Sequence, residues 1–448
     1  MAVTAGTEAS VAATVDILRT PASSPTSEVE RSFGRADPAS ALRTDFASAA
    51  RPFAATASTA AVDTAPITPG ALSPIAEIVA LPGRIVNAVL QLVGITTAAG
   101  IGPSPISPAP FADLFFAVFR RLEQAFGLDS PLAGQPVPPS LTYTGPLDIP
   151  TPTVAQFLDA ATTEYVLGGV PGGMRPLTVD GWPMKFLYLA TGADASVWVT
   201  PQNQIIIAYS GTTGGTNLLF NPLIAISQLL TDLQAGFTNT TPEAFTQALD
   251  FAQQVQAEAA VQGYAPGSVF VTGHSLGAWQ AQYVAQQLGL SGIGFEGPGL
   301  STTVPGNGAD SLFVNTATYG DMAAYLSSDL PGLHPFVPYP YVAGGGLHPH
   351  YGPIVMLGDP NANTPMTNAA ALWGKGIVGS LIAVVDLLGN FFASHLPGVQ
   401  AYNLDVDQDP GVVPWLGING GPVHTGFGEM TIPEFLQAAS DAGILVKP

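Results

Sequence analysis

Apolar positions in this chain repeat with two different periods, and the changes between them mark out its elements. Residues 154–167 carry apolar side chains at helical spacing. Residues 196–200 and 205–209 are short β-branched and aromatic runs separated by Pro201-Gln202-Asn203-Gln204, which predicts two strands joined by a hairpin turn. Thr241-Pro242-Glu243 then opens a helix, with Thr at the N-cap and Pro at the first helical position. Phe245, Ala248, Leu249, Ala252, Val255 and Ala259 follow at spacings of three and four and form one face of it. A strand at 268–272 runs into a tight turn and a helix whose Gly277, Ala278, Ala281 and Ala285 make a small-residue face. Further strands are expected at 292–295 and 311–316. Thr431-Ile432-Pro433-Glu434 is a capping box that opens a last helix. Strands alternating with helices predict an α/β fold with a mostly parallel central sheet flanked by helices.

The pattern is weaker before residue 150. Residues 1–68 are rich in Ala, Ser, Thr and Pro without a sustained period and read as a low-complexity, disordered or loosely helical extension. Residues 69–149 hold an apolar helical stretch from Ile75 to Val93, interrupted at Pro82-Gly83, then a proline-punctuated linker at 103–110. An amphipathic helix at 111–126 follows. The main domain is assigned to 150–448. The longest apolar stretch, 376–392, contains Asp386 and two glycine breaks, so a buried helix is expected there rather than a membrane span. Residues 1–20 lack the basic start and long apolar core of a secretory leader.

Composition narrows the partners. The 448 residues carry 12 Lys+Arg against 32 Asp+Glu, a formal net charge of −20. Such a chain does not neutralise a run of phosphates, so nucleic acid is excluded, and electrostatic docking on anionic lipid is disfavoured. Charged residues make up only 10%, which leaves the surface to Ser, Thr, Asn, Gln and backbone. There is no Cys, which removes disulfides, thiolate metal sites and a Cys nucleophile.

Chemistry concentrates at Gly273-His274-Ser275-Leu276-Gly277. Strand, G-x-S-x-G turn and helix in this order form a nucleophile elbow, with Gly273 and Gly277 where larger side chains would collide with neighbouring backbone. Ser275 is the expected nucleophile, held at a helix N-terminus whose N–H groups favour a developing oxyanion. A Ser hydroxyl needs a His to take its proton and an acid to orient that His. In α/β-hydrolases the chain order is Ser, acid, His. Asp321, in the loop leaving the 311–316 strand, is the expected acid. Asp310 lies at that strand's wrong end. Asp329, read as a helix-terminal or solvated residue, is held in reserve. Five His follow Ser275. His334, His348 and His350 sit in a Pro- and Gly-rich stretch, whereas His395 directly follows a rigid apolar helix. His395 is therefore favoured, with His350 in reserve.

The runs Ile206-Ile207-Ala208-Tyr209-Ser210-Gly211-Thr212, Val271-Thr272-Gly273-His274-Ser275-Leu276-Gly277-Ala278 and Gly294-Phe295-Glu296-Gly297-Pro298-Gly299 resemble three consecutive signatures of the class 3 (fungal-type) lipases. Those are α/β-hydrolases that cleave acyl esters of lipids. The resemblance covers roughly residues 185–405. It implies that Thr212 and the Leu276 N–H form the oxyanion hole. It also implies that His350 stands in a segment carrying a non-catalytic His, and that His395-Leu396, with Tyr402 at a longer gap, matches the catalytic His. Ser210 replaces the Arg usual before the oxyanion Gly-Thr. The Ala/Pro-rich, low-charge character and the 103–110 leader resemble mycobacterial or actinobacterial proteins.

An apolar run at 214–230, hinged on Gly214-Gly215, reads equally as a mobile lid over a lipid groove or as a buried helix. Asp405-Val406-Asp407-Gln408-Asp409 begins like a calcium loop but lacks its Gly and closing Glu, so no metal and no cofactor are expected. The sequence thus predicts a secreted or envelope-associated serine hydrolase acting on carboxylic esters of apolar acyl chains. Peripheral contact with a lipid interface or the cell envelope is expected, and no obligate protein partner is evident. Acyl transfer by the same triad, or an inactive envelope-binding scaffold, are the alternatives.

Overall fold

The computed structural model describes residues 136–165, 169–188, 193–211, 243–333, 340–409, 411–412 and 421–447, with isolated residues before them. The chain divides into units Met1–Ser58 and Thr59–Pro448, and all described residues belong to the second. The predicted helix at 111–126 lies almost wholly outside the described residues, as do the extension at 1–68 and the run at 214–230.

A nine-stranded sheet organises this unit. Its strands are β1 (Arg175–Pro176), β2 (Lys185–Tyr188), β3 (Ala193–Val199), β4 (Ile205–Tyr209), β5 (Val269–His274), β6 (Ser291–Phe295), β7 (Phe313–Thr318), β8 (Ile354–Leu357) and β9 (Leu445–Val446). Across the sheet the order is β9-β8-β7-β6-β5-β4-β3-β1, with β2 also pairing β3. The five strands β4 to β8 pair in parallel, and antiparallel strands close both sides. The helices are α1 (Val154–Thr163), α2 (Glu243–Val261), α3 (Leu276–Leu288), α4 (Asn363–Leu372), α5 (Gly376–Asn390), α6 (Pro397–Leu404) and α7 (Ile432–Asp441). The result is a mixed, mostly parallel sheet flanked by helices, an α/β arrangement.

Period-two alternation sends side chains of each central strand to both faces. Ile205, Ile207 and Tyr209 of β4 join Val269 and Val271 of β5, packing with Phe245 and Val255 of α2 and Ala281 and Ala285 of α3. Ile206, Ala208 and Phe270 point the other way. There they meet Phe157 and Leu158 of α1 and Phe435 and Leu436 of α7. Both faces are covered, which is why these strands read as continuous apolar runs rather than alternating ones.

Several boundaries move. The hairpin at 201–204 forms as expected, with Asn203 at φ 60° and its N–H donating to Thr200 O at 3.0 Å. The helix expected at 154–167 ends at Thr163, where the hydroxyls of Thr162 and Thr163 fold back on the Asp159 carbonyl at 3.2 and 2.7 Å. The strand expected at 311–316 starts two residues later. The Ser311 hydroxyl accepts the Phe313 N–H at 2.9 Å and holds the approach as a turn.

The apolar stretch at 376–392 needs a larger correction. α5 and the turn after it are long and apolar enough to cross a membrane by length and composition. Yet this is not a uniformly buried helix. Gly379, Ile382, Ala383, Asp386 and Asn390 face inward, and Asp386 accepts from Asn368 Nδ2 of α4 at 3.1 Å. Ile377, Val378 and Leu381 are 82%, 68% and 61% exposed. The single acid of the stretch packs inside beside Ile382 and Ala383 while Ile377, Val378 and Leu381 face outward, an arrangement that hydropathy alone does not distinguish from a buried helix.

Candidate active site

β5 ends at His274 and α3 begins at Leu276, so Ser275 alone makes the corner. Its backbone sits at φ 60°, ψ −124°, a conformation that non-glycine residues rarely adopt. Two main-chain bonds hold it there. Its N–H donates to Phe295 O of β6 at 2.8 Å, and its carbonyl accepts from Trp279 N of α3 at 3.1 Å. The close approach of strand and helix explains both flanking glycines. A Cβ on Gly273 would collide with the Gly277 carbonyl, and one on Gly277 with the Tyr209 carbonyl of β4.

Ser275 Oγ lies 2.9 Å from His395 Nε2, and His395 Nδ1 lies 2.9 Å from Asp321 Oδ1. A carboxylate accepts only, so Nδ1 carries the proton and the Nε2 lone pair takes the Ser275 O–H. All three side chains are buried. His395 ends a π-helical turn, Phe391–His395, that continues directly from α5. Leu396 then becomes extended and Pro397 opens α6 at its first position. A π turn of this kind rotates the last side chain away from the α-helical register, and here that side chain is the imidazole.

Asp321 stands three residues beyond β7. Gly320, at φ +85°, makes the turn, and its N–H donates to Asn363 Oδ1 at 2.6 Å. The Asp321 carboxylate also accepts the Ala323 and Ala324 N–H groups at 3.1 and 3.2 Å. Burial alone would raise its pKa. The His395 charge, hydrogen bonds from Glu296 and His395, and the Ala323 N–H outweigh burial and lower it to about 2. The acid therefore stays ionised beside the imidazole.

His274, beside Ser275, faces inward. Its Nδ1 accepts from the Tyr165 hydroxyl at 2.8 Å, and its Nε2–H donates to the backbone carbonyl of His395 at 2.7 Å. Burial, helped by the proximity of His395, lowers its pKa to about 3. The ring is neutral at physiological pH and couples the elbow to the segment carrying His395.

The reserve residues form a separate pair. Asp329 is neither helix-terminal nor solvated. It is fully buried, with Oδ1 2.9 Å from His350 Nδ1 and Oδ2 accepting the His350 N–H at 2.6 Å. His350 Nε2 donates to Gly297 O at 2.9 Å. Burial opposes protonation of His350, but the Asp329 charge and these bonds raise its pKa above the usual value. The pair bridges loops and makes no bond to Ser275.

The remaining expectations fall as follows. Leu276 is the first residue of α3, where N–H groups have no intrahelical partner. Thr212, His334 and the 214–230 run lie outside the described residues. Asp310 is exposed ahead of β7, and His424 stacks on Phe427 with ring centroids 4.8 Å apart. The Ser210 hydroxyl lies 3.2 Å from Glu164 Oε2 and 3.2 Å from Asp194 Oδ2, between two acids. Asp405 caps α6 at φ 56° and accepts the Gly426 N–H at 2.9 Å, so the acidic run is a turn. Sequence reasoning missed Tyr165, Glu296 and Gln400. Of these only Glu296 left a signal, as an acid directly following a strand.

No family model matches the chain, and no curated protein matches it. Among solved structures it is similar to the extracellular lipase LipA from Serratia marcescens, with 18% identity and a TM-score of 0.31, over 52% of this chain and 38% of that one. It is also similar to M37 lipase, with 16% identity and a TM-score of 0.28, over 47% of this chain and 82% of that one. The chain thus spans well under half the length of the Serratia lipase. At these values any functional reading rests on the geometry of the site.

Proposed function

We propose that the chain is a serine hydrolase with an α/β-hydrolase core, cleaving carboxylic esters of apolar acyl chains through an acyl-enzyme. The observation that carries this reading is the continuous hydrogen-bonded line from Ser275 Oγ through His395 to Asp321, with Ser275 on a strained strand-to-helix corner. Ser275 Oγ attacks the acyl carbonyl carbon while its proton passes to His395 Nε2. Asp321, held ionised, stabilises the imidazolium and fixes the ring. The oxyanion forms at the N-terminus of α3, against the Leu276 N–H, with Thr212 as the second donor. The intermediate collapses as His395 returns the proton to the departing alkoxide, leaving Ser275 acylated. Water then repeats the sequence in the same site, releases the acid and restores Ser275.

The motifs around the three strand ends, which resemble the class 3 lipases, support lipid esters as substrates. The test is hydrolysis of p-nitrophenyl esters of rising acyl length by the wild type and by Ser275→Ala, alongside labelling by a fluorophosphonate. Activity and labelling that both vanish in Ser275→Ala are expected, with a preference for longer chains. A wild type that neither hydrolyses any ester nor takes the label refutes the reading. Faster transfer to an added alcohol than to water would reassign the same chemistry to acyl transfer.

A further inference from the structure

Glu296 is a second acid in the site, and the mechanism above does not use it. It follows β6 directly at φ 55° and is fully buried. Its backbone N–H donates to Thr316 O of β7 at 3.0 Å. The carboxyl accepts the Thr318 N–H at 3.0 and 3.1 Å on its two oxygens. Oε1 also accepts short hydrogen bonds from the Thr318 hydroxyl and from Gln400 Nε2 of α6. Asp321 is the neighbouring acid, near enough that its charge raises the Glu296 pKa.

Two buried carboxyl groups this near each other hold a proton between them. Oε1 accepts from Thr318 N, the Thr318 hydroxyl and Gln400 Nε2, whereas Oε2 accepts only a share of the Thr318 N–H, so Oε2 is the oxygen with room for that proton. Asp321 already receives His395 Nδ1–H and two backbone N–H groups, so it is the member better served as an anion. We propose that Glu296 is a positioning residue of this site: a buried, protonated carboxylic acid that donates to Asp321 and fixes it against His395. This rests on the hydrolase reading of the triad.

The network gives the acid its purpose. Glu296 stands one residue past Phe295, whose carbonyl holds the Ser275 N–H. Thr318 ends the strand that leads to Asp321, and Gln400 lies on the helix immediately after His395. One neutral carboxyl therefore joins the segments that carry the elbow, the acid and the base. Burial comes first in raising the Glu296 pKa well above the usual range, with the Asp321 charge and hydrogen bond adding to it. The other titratable groups around it come from the loop after β7 and from the triad. Tyr325 faces both acids and, with Tyr319, stays neutral because burial raises both phenols. His395 and the neutral His274 lie beyond Asp321. From α6 only the uncharged Gln400 reaches Glu296.

The experiment compares wild type, Glu296→Gln and Glu296→Leu. Gln keeps both an acceptor toward Thr318 and Gln400 and a donor toward Asp321. It is expected to retain most of kcat, while Leu loses about a hundredfold in kcat with little change in KM, as for a misplaced rather than missing base. The wild type is expected to lose kcat at alkaline pH as Glu296 gives up its proton, and Glu296→Gln to lack that limb. Infrared difference spectra, wild type minus Glu296→Gln, are expected to show a carboxylic-acid carbonyl stretch at neutral pH. That readout needs no activity. It therefore separates failure of this proposal from failure of the hydrolase reading, which ester turnover and fluorophosphonate labelling of the wild type report. A carboxylate stretch in its place, the same alkaline limb in both proteins, or an unchanged kcat in a folded Glu296→Leu would overturn the proposal.

Discussion

Two buried Asp–His pairs share the 2.9 Å geometry, yet replacing their acids by Asn should differ in what it does to turnover. Asp329 and His350 are both fully buried, so water offers neither charge an alternative. Opposite charges about 4 Å apart interact by about 4 kcal/mol at the effective dielectric that fits protein data. Removing one partner of such a pair costs about 3–5 kcal/mol, because the other charge is left uncompensated. Asp329→Asn also weakens the acceptor of the His350 N–H. At roughly 2–4 °C per kcal/mol for a large domain, the melting temperature should fall by roughly 6–20 °C. The pH dependence has a definite sign. The His350 pKa is raised on folding, so the pair's contribution is complete below the unfolded value, about 6.5, and fades as pH rises through the folded value. Asp329→Asn should therefore be most damaging near pH 6, roughly the unfolded-His value, and progressively less so in alkali. Asp321→Asn is also expected to lower stability, since the carboxylate it removes is buried and its pKa is depressed on folding, but its distinguishing effect is a loss of about 10⁴ in kcat through the wrong imidazole tautomer. Thermal unfolding across pH and ester turnover on both variants decide the matter. If Asp329→Asn abolishes turnover without loss of stability, the assignment of the two pairs is reversed.

Three further outcomes follow from named contacts. Gly277→Ala should yield little active protein, since its Cβ would press on the Tyr209 carbonyl and spread the elbow; soluble yield and turnover check it. Tyr165→Phe leaves His274 Nδ1 buried without its donor, which should cost about 1–3 kcal/mol in denaturant unfolding and slow turnover by loosening the His274 bond to the His395 carbonyl. Asp159 has its pKa raised to about 8, first by burial and then by the nearby Asp409 charge, against the Asp409 N–H bond that lowers it. The native state then keeps a proton the unfolded chain loses above about pH 4, so stability declines from there toward pH 8. Asp159→Asn, which keeps the Oδ1 acceptor for Asp409 N at 2.9 Å, should flatten that decline in unfolding measured across pH.

Legibility in the sequence followed the range of the forces involved. The hairpin at 201–204, the capping box at Thr431 and the elbow are local, since each depends on residues within a few positions, and each was readable. Ser275 and Asp321 were approached through chain order and strand-end logic, because the parallel sheet places successive strand ends along one edge, and His395 through its place at the end of an apolar helix. What remained hidden depends on partners far away in the chain. Asp329 looks solvated until His350, 21 residues on, closes over it. Glu296 looks like part of a turn until Thr318 and Gln400, 22 and 104 residues away, surround it. The outward face of α5 was missed for a related reason. Its polar Asp386 finds Asn368 inside, which leaves Ile377, Val378 and Leu381 on the exposed face.

The site's rigidity comes from polar bonds more than from apolar packing. Ser275 is held in a costly backbone conformation, which persists only where its surroundings determine it from several sides. Here Phe295 O fixes its N–H and the two glycines let strand and helix close on it. The residue before it, His274, reaches the carbonyl of His395. His395, the proposed general base, is therefore anchored twice, by its ring to Asp321 and by its backbone to the elbow. That second anchor works only while His274 donates from Nε2, and the Tyr165 hydroxyl enforces this by occupying Nδ1 as donor. Protonation of His274 would keep the Nε2–H, reverse the Tyr165 bond and set a second cation beside His395, opposing the proton transfer proposed for that residue. With its pKa depressed to about 3, His274 stays neutral, and an imidazolium formed at His395 in the proposed attack would have Asp321 as its counter-charge with no competing cation on the elbow.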